Sequence, residues 1–182
     1  GAAALLCSAF GCDALLRPAA DGGAWRIAAV GEASGAAVPI PASWRSLAAV
    51  WEPCLAVPCT RAWLAGWDGR SVVVGRLGWD SALRTWDVRP RFKVNPGFGG
   101  CVAERHVCGS RGTGAYEDVR ALHLGDDGKT LLVLFDSGIL DAWDLRSGVL
   151  LGRWQVGVDC TAMCIDGDTI MLTRQGPDGP AL

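Results

Sequence analysis

Residues 124–154 read LGDDGKTLLVLFDSGILDAWDLRSGVLLGRW. This stretch contains short apolar runs separated by polar turns, and every turn contains a glycine. Asp127-Gly128 is typical of a tight hairpin, because glycine readily adopts the positive φ that such a turn needs. The uninterrupted apolar run at 130–135 is typical of a strand that is buried on both faces. Together with residues 119–124, the stretch predicts four antiparallel strands, since no run between the turns is long enough for a helix.

A four-stranded unit of this size cannot bury both of its faces alone, so similar units are expected elsewhere in the chain. The glycine before the third strand recurs as Gly22, Gly69, Gly138 and Gly179. Two of the three intervals lie near the roughly 40–45 residues of a propeller blade. The remaining interval, from Gly69 to Gly138, is longer and holds a glycine-rich segment. This segment predicts an inserted loop at 92–118.

The predicted fold class is therefore all-β, a β-propeller of about four four-stranded antiparallel blades. The blades are expected at approximately residues 3–41, 44–90, 119–156 and 159–182. The fourth strand of the second blade is expected at 81–88. An open arc of blades would expose strand edges and apolar faces at both ends. We therefore expect the segment to be part of a larger propeller of about seven blades.

The unit at 119–156 resembles a WD40-type β-propeller blade. The residues that carry this resemblance are Asp127, Gly128, Gly138, Trp143 and Asp144, with Asp68 and Gly69 in the second blade. The family has a hydrogen-bonded tetrad of His, Asp, Ser or Thr, and Trp. Here Ser137 occupies the Asp position of the third blade, and Val74 replaces the Trp of the second. The resemblance thus implies blades that depend mainly on apolar packing.

A second propeller family also fits the same stretch. Residues 138–151 (GILDAWDLRSGVLL) are similar to the quinoprotein-type repeat. The matching residues are Gly138, Leu140, Ala142, Asp144 and Gly148, whereas Gly152 stands where that repeat has a tryptophan. Both resemblances imply the same architecture, and the WD40-like interpretation is favoured.

The eight cysteines form four near pairs: Cys7/Cys12, Cys54/Cys59, Cys101/Cys108 and Cys160/Cys164. In the last pair, four residues of extended strand separate the Cα atoms by about 13 Å, beyond the roughly 7 Å limit of a disulfide. Free thiols are therefore expected there, which favours a reducing compartment such as the cytoplasm. Bridges across the turns of the first two pairs remain open.

A weak metal candidate lies in the inserted loop, where Cys101, His106 and Cys108 could supply zinc ligands together with Glu104. The spacing is not C-x-x-C and no second pair of ligands follows, so a surface loop is favoured and no metal or other cofactor is expected.

The nine tryptophans are expected at interfaces between blades. An aromatic cage from Trp63, Trp67 and Trp79 is the less favoured alternative.

The sequence holds none of the common catalytic or phosphate-binding motifs, and His106 and His123 are its only histidines. A formal charge of −2 gives no reason to expect nucleic acid as a partner, and no apolar run could span a membrane. The favoured hypothesis is a non-catalytic scaffold that binds other proteins. Candidate partner-binding residues are Arg91, Phe92, Phe98, Arg105, Arg111 and Tyr116. The alternative is a quinoprotein-like propeller enzyme whose catalytic residues lie mostly outside this segment.

Overall fold

The computed structural model describes nine ranges of the chain. They are 4–8, 11–18, 25–29, 35–41, 43–52, 61–94, 118–166, 169–176 and 179–181, with backbone only for 4–8, 11–13 and 179–181. All regular structure in these ranges is β-strand, in four antiparallel sheets. No helix capable of crossing a bilayer occurs in the part of the chain that is described.

The strands follow one another in each sheet in chain order. The first sheet contains β1 (Ala4–Ser8), β2 (Gly11–Pro18), β3 (Trp25–Ala29) and β4 (Ala36–Val38). The second contains β5 (Ser46–Trp51), β6 (Arg61–Trp67), β7 (Val72–Asp80) and β8 (Thr85–Val94). The third contains β9 (Val119–Leu124), β10 (Thr130–Phe135), β11 (Ile139–Asp144) and β12 (Leu150–Gln155). The fourth contains β13 (Cys160–Asp166), β14 (Thr169–Gly176) and β15 (Gly179–Ala181). The prediction of four antiparallel blades is confirmed.

The middle strand β10 shows why its sequence is apolar without interruption. Side chains alternate across a strand, and here both sides are covered. Leu131, Val133 and Phe135 pack in one cluster with residues of the second sheet, whereas Leu132 and Leu134 pack with residues of the fourth. All five are at most 1% exposed. Burial of each such side chain contributes about 1.5–3 kcal/mol, so this strand joins three sheets into one core.

The sheets are arranged around their first strands, which contact one another in chain order. β1 contacts β5, β5 contacts β9, and β9 contacts β13, while the outer strands β4 and β8 also meet. Each interface between sheets has its own apolar cluster. Across the described strands, packing of this kind is not seen between β13 and β1. The sheets therefore form an arc of radially arranged blades.

The second sheet differs from the sequence-based expectation at its outer strand. β8 was expected at 81–88, but it begins at Thr85 and continues to Val94. Gly75 opposes Pro90 and Val74 opposes Phe92, so Arg91 is the extra residue of a β-bulge. Pro90 lacks a backbone N–H, which an outer strand tolerates because only one of its edges is paired. Arg91 and Phe92 thus lie in a strand rather than in a loop.

A glycine makes the packing between the first two sheets possible. Trp44 is buried in the cluster shared by these sheets. Its indole lies flat on Gly66 of β6, where a Cβ atom would overlap the six-membered part of the ring. The absence of a side chain at Gly66 therefore creates the space that Trp44 fills.

Two polar contacts join the third and fourth sheets. The Arg120 guanidinium on β9 donates from Nη1 to the carbonyl of Val158 and to that of Cys160 at 2.9 Å, and from Nε to Asp136 at 2.9 Å. The Ile165 N–H donates to Nε2 of His123 at 3.3 Å. Burial lowers the pKa of His123, although the negative charge of Asp126 opposes this. His123 therefore serves as a neutral acceptor between blades.

Substitution of Gly66 by Ala should lower the free energy of unfolding by about 1–3 kcal/mol, because overpacking displaces Trp44. The control is Gly78→Ala in the same sheet, since an added Cβ there would contact nothing within 4 Å and its φ is ordinary. Chemical denaturation monitored by tryptophan fluorescence measures both variants. Equal stability of the two variants would contradict the proposed fit of Trp44 on Gly66.

The stability of the chain should fall as the pH drops below about 6.5, the ordinary pKa of histidine. The folded-state pKa of His123 is lowered, so the unfolded chain takes up the proton first and protonation favours unfolding. Urea unfolding between pH 7.5 and 5 (roughly one unit either side of the midpoint) measures this slope. His123→Gln should flatten it, because this variant removes the group whose pKa is lowered. An equal slope in His123→Gln and the unmodified chain would contradict the prediction.

Candidate functional site

A groove of about 640 Å³ lies where the second sheet meets two turns of the third sheet. We call it the inter-blade groove. It is lined by Glu52, Trp63, Arg76, Arg91, Asp127, Gly128, Lys129 and Arg146. Six of these eight residues carry a charge and one is aromatic, so the groove combines ionic groups with an apolar surface.

The wall from the second sheet is built on an ion pair beside a buried tryptophan. Arg76 donates to both oxygens of Glu52, from Nε at 2.5 Å and from Nη2 at 2.6 Å. Its guanidinium also lies over the ring of Trp63, 5.3 Å from the ring centroid. The hydrogen bond to Glu52 raises the pKa of Arg76 further above its ordinary value. The charge of Arg76 is therefore largely matched within the protein, and Trp63 provides an apolar floor.

The β-bulge in β8 directs Arg91 and Phe92 to different surroundings. Arg91 is exposed and lines the groove, and it has no hydrogen-bond or ion-pair partner among the described residues. Phe92 packs on Gly148 of the third sheet, where an added Cβ would lie 3.2 Å from the ring. A bulge re-aims side chains in this way because it adds one residue to one strand of a pair.

The first turn of the opposite wall is the hairpin at 125–129. Gly128 has a φ of +63°, as the Asp-Gly pattern predicts. The Gly128 N–H donates to the carbonyl of Gly125 at 2.9 Å, and the Lys129 N–H donates to Oδ1 of Asp127 at 2.8 Å. The Lys129 ammonium lies 3.6 Å from the Asp127 carboxylate. The turn is closed by its backbone and by the carboxylate of Asp127, which faces the Lys129 ammonium.

The second turn, at 144–148, holds Arg146. Oδ1 of Asp144 accepts hydrogen bonds from the N–H groups of Arg146 and Ser147 and, at 2.6 Å, from the Ser147 hydroxyl. The hydrogen bond from this hydroxyl is the main cause that lowers the pKa of Asp144, so the carboxylate is ionised at neutral pH. The Leu145 N–H donates to the carbonyl of Lys129 at 2.8 Å, which ties the two turns together.

The charges of the groove do not cancel. Arg76, Arg91, Lys129 and Arg146 face only two carboxylates, Glu52 and Asp127. Each carboxylate already contacts a cation, which leaves two guanidinium groups without a carboxylate of the groove. The carboxylate of Asp144 interacts electrostatically with Arg146. Its hydrogen bonds, however, are accepted from groups of its own turn, such as the Ser147 N–H. The residues that line the groove thus carry four cations against two carboxylates, and Asp126 and Asp144 lie in the turns beside it.

A second cavity of about 460 Å³ on the second sheet is closer to electroneutral. Arg61, Arg76 and Arg89 line it together with Asp80 and Asp87. Arg89 donates to Asp87 at 2.8 Å, and both side chains are largely exposed. Trp79 lines it too and stacks edge-on against Trp86 at 5.4 Å. This cavity offers no comparable excess of unmatched charge.

The residues of the blade signature lie at turns and in the core. Gly138 has a φ of +77°, and a Cβ there would overlap the backbone of Gly157. Trp143 is buried between the second and third sheets. Its indole N–H and the hydroxyl of Ser137 have no hydrogen-bond partner among the described residues. The tetrad of the resembling family is therefore not formed around Trp143.

Asp68 closes the turn between β6 and β7. Burial opposes ionisation of its carboxylate, but hydrogen bonds from the N–H groups of Ser71 and Arg70 outweigh burial, and the pKa of Asp68 is lowered. Gly69 follows with a φ of +92°. Val74, at the position of the family's tryptophan, is fully buried. In this blade the aspartate therefore stabilises its own turn.

Several residues singled out from the sequence lie outside the described residues. They are the metal candidates Cys101, His106 and Cys108, the candidate anchors Phe98, Arg105, Arg111 and Tyr116, and the pair Cys54/Cys59. Val94, where the described part of this segment ends, pairs with Val72 at the end of the second sheet far from Arg76. In the ranges that the structure describes, no three potential ligands come together to hold a metal.

The remaining cysteines and tryptophans can be placed. Cys160 and Cys164 are free thiols, and burial raises the pKa of Cys160. The backbone register pairs Cys7 with Cys12.

Most of the tryptophans are buried in the clusters between sheets. Trp79 contacts Trp86 rather than Trp63 or Trp67, so the aromatic cage considered from the sequence is not formed.

Comparison with known proteins supports the architecture. No family model matches the sequence, and no curated protein matches it significantly. The Cps50 (Swd1) β-propeller domain of Myceliophteria thermophila superposes with a TM-score of 0.51 at 13% sequence identity. The match covers 94% of this chain and 48% of that chain. The fold is that of a β-propeller.

This chain spans about half the length of the solved β-propeller domain. Hsv2 of Kluyveromyces lactis aligns over 90% of this chain and 56% of its own at 11% identity, with a TM-score of 0.43 that is too low to add to the argument. The radial contacts of β1, β5, β9 and β13 agree with the propeller arrangement. At these sequence identities the similarity shows the fold alone.

Asp144→Ala should lower the free energy of unfolding by about 1 kcal/mol, because the loss resembles that of a capping side chain. The turn that holds Arg146 should also loosen. Asp144→Asn keeps an acceptor oxygen and should cost less, so it serves as the matched control. Thermal unfolding measures stability, and amide hydrogen exchange at Ser147 reports the local opening. Equal exchange at Ser147 in both variants would argue against this role of the carboxylate.

Proposed function

We propose that this chain is part of a non-catalytic, WD40-like β-propeller that acts as a scaffold for protein–protein interaction. The observation that carries the proposal is the inter-blade groove, which presents two arginines without a carboxylate of the groove on a β-framework. Interfaces between proteins are enriched in arginine and aromatic residues.

The framework supports this function because the backbone that carries its contact residues is ordered before a partner arrives. Arg91 projects from a bulge, and Arg146 lies on a turn that Asp144 closes with three hydrogen bonds. Ordering of side chains and loops is a major cost of association. A preformed groove reduces that cost and therefore suits a scaffold.

Of the anchors proposed from the sequence, Arg91 belongs to the groove, whereas Phe92 is engaged with Gly148. Phe98, Arg105, Arg111 and Tyr116 remain part of the proposal as a second contact region. That segment follows Val94, which pairs with Val72, whereas Arg76 of the groove pairs with Arg89. The partner would use the groove, this segment or both. The free thiols of Cys160 and Cys164 fit the reducing compartment, such as the cytoplasm, that we propose for the protein.

Site-specific photo-crosslinking in the source cells tests the proposal and distinguishes the two regions. A benzophenone amino acid placed at Asp126, which is exposed beside the groove, should form a covalent adduct with a specific partner protein. Placed at Tyr116, it reports the second region. Val158 is 65% exposed on the connection between β12 and β13 and provides the control position.

The expected result is one partner, identified by mass spectrometry, that is captured from Asp126 or Tyr116 but not from Val158. Excess unmodified chain should compete with its capture. Absence of any competed adduct at both test positions would contradict a scaffold function for this part of the propeller.

A further inference from the structure

The inter-blade groove contains two arginines that no carboxylate of the groove contacts. Its two internal ion pairs, Arg76–Glu52 and Lys129–Asp127, account for both of its carboxylates. Arg91 and Arg146 remain, one on each wall. Guanidinium groups bind carboxylates through two parallel hydrogen bonds, and the fixed geometry of the fork makes the contact specific.

The setting of these two arginines favours an ionic ligand over an apolar one. Trp63 lies at the floor and is only 6% exposed, and one face of its ring is covered by Arg76. Little apolar area is therefore offered to a ligand. Anionic ligands gain from the excess of positive charge, because the groove walls lower the local dielectric constant relative to open water.

The position of the groove between two blades suits an extended peptide as ligand. Arg91 lines it from the second sheet, and Arg146 lines it from a turn of the third. Alternate side chains of an extended peptide point to opposite sides. Two carboxylates near one another in an extended segment can therefore reach both walls at once.

We propose that the inter-blade groove binds an acidic peptide segment of a partner protein, in which Asp or Glu carboxylates pair with Arg91 and Arg146. This rests on the proposed scaffold function and specifies the partner's chemistry. The segment lies across the junction of the second and third blades. It contacts both blades and so depends on their being packed together.

The test uses the 182-residue chain and fluorescein-labelled peptides, with fluorescence anisotropy as the measurement. The probe is a short peptide in which adjacent pairs of Glu are separated by Gly, so that the two carboxylates of each pair point to opposite sides. The controls replace every Glu by Gln or by Lys. The Glu peptide should bind, the other two should not, and added salt should weaken binding because exposed charges are screened.

Arg91→Gln combined with Arg146→Gln should weaken binding of the Glu peptide by roughly tenfold or more. Its matched control combines Arg70→Gln with Arg84→Gln, which removes the same charge from exposed turn positions outside the groove. The control pair should bind as the unmodified chain does. Circular dichroism confirms that both double variants are folded.

The proposal is overturned if both double variants weaken binding equally, since that indicates a non-specific charge effect. It is also overturned if only a peptide with phosphoserine in place of Glu binds, because the ligand would then be a phosphate. Failure of peptide binding together with a competed crosslink at Asp126 would leave the scaffold function standing and reject the acidic segment. Failure of peptide binding together with the absence of a competed crosslink at both Asp126 and Tyr116 would reject the function itself.

Discussion

The structure depends on the requirement that each blade be covered on both faces. A four-stranded sheet with an uninterrupted apolar middle strand cannot exist as an isolated unit, because half of that strand would face water. In β10 the odd- and even-numbered side chains belong to different clusters, and in β6 Trp63 and Leu64 likewise face different neighbours. The blades are therefore stable as a stack. The glycines beneath Trp44 and Phe92 follow from the same requirement, since they let large side chains close the gap between two sheets.

Apolar packing sets the distance between blades but does little to fix their rotation about the arc. Directional hydrogen bonds can supply that constraint. Between the third and fourth sheets this is done by Arg120, which reaches across to the carbonyls of Val158 and Cys160, and by His123, which accepts from Ile165. The indole N–H of Trp143 makes no such bond within the described residues. The polar ties between these two blades thus run from the first strand of one blade to its neighbour.

The strands and turns could be predicted from the sequence because their signals are local. Asp127-Gly128 and Gly138 mark hairpins through their positive φ, and the burial of 130–135 follows from its composition. The roles of Arg120 and His123 could not be predicted, because they depend on where the next blade lies. The bulge at Arg91 was also missed. Its only local signal is Pro90, which indicates an interruption of pairing but not which side chain is redirected. For the same reason Arg91 and Phe92 were expected in a loop.

The position of the inter-blade groove follows from where charge can be placed in such a stack. Away from the strand ends an unpaired ion would lose its hydration without compensation, so a buried charge needs a partner, as Asp141 has in Arg153. At the ends of the strands the packed side chains give way to turns, and charge becomes tolerable there. The turns at 125–129 and 144–148 lie at this boundary and are joined by the hydrogen bond from Leu145 to Lys129. Arg91 faces them from the bulged outer strand of the preceding blade. Because the same packing that joins the blades also sets the separation of these arginines, a ligand that bridges them would be sensitive to the geometry of the junction.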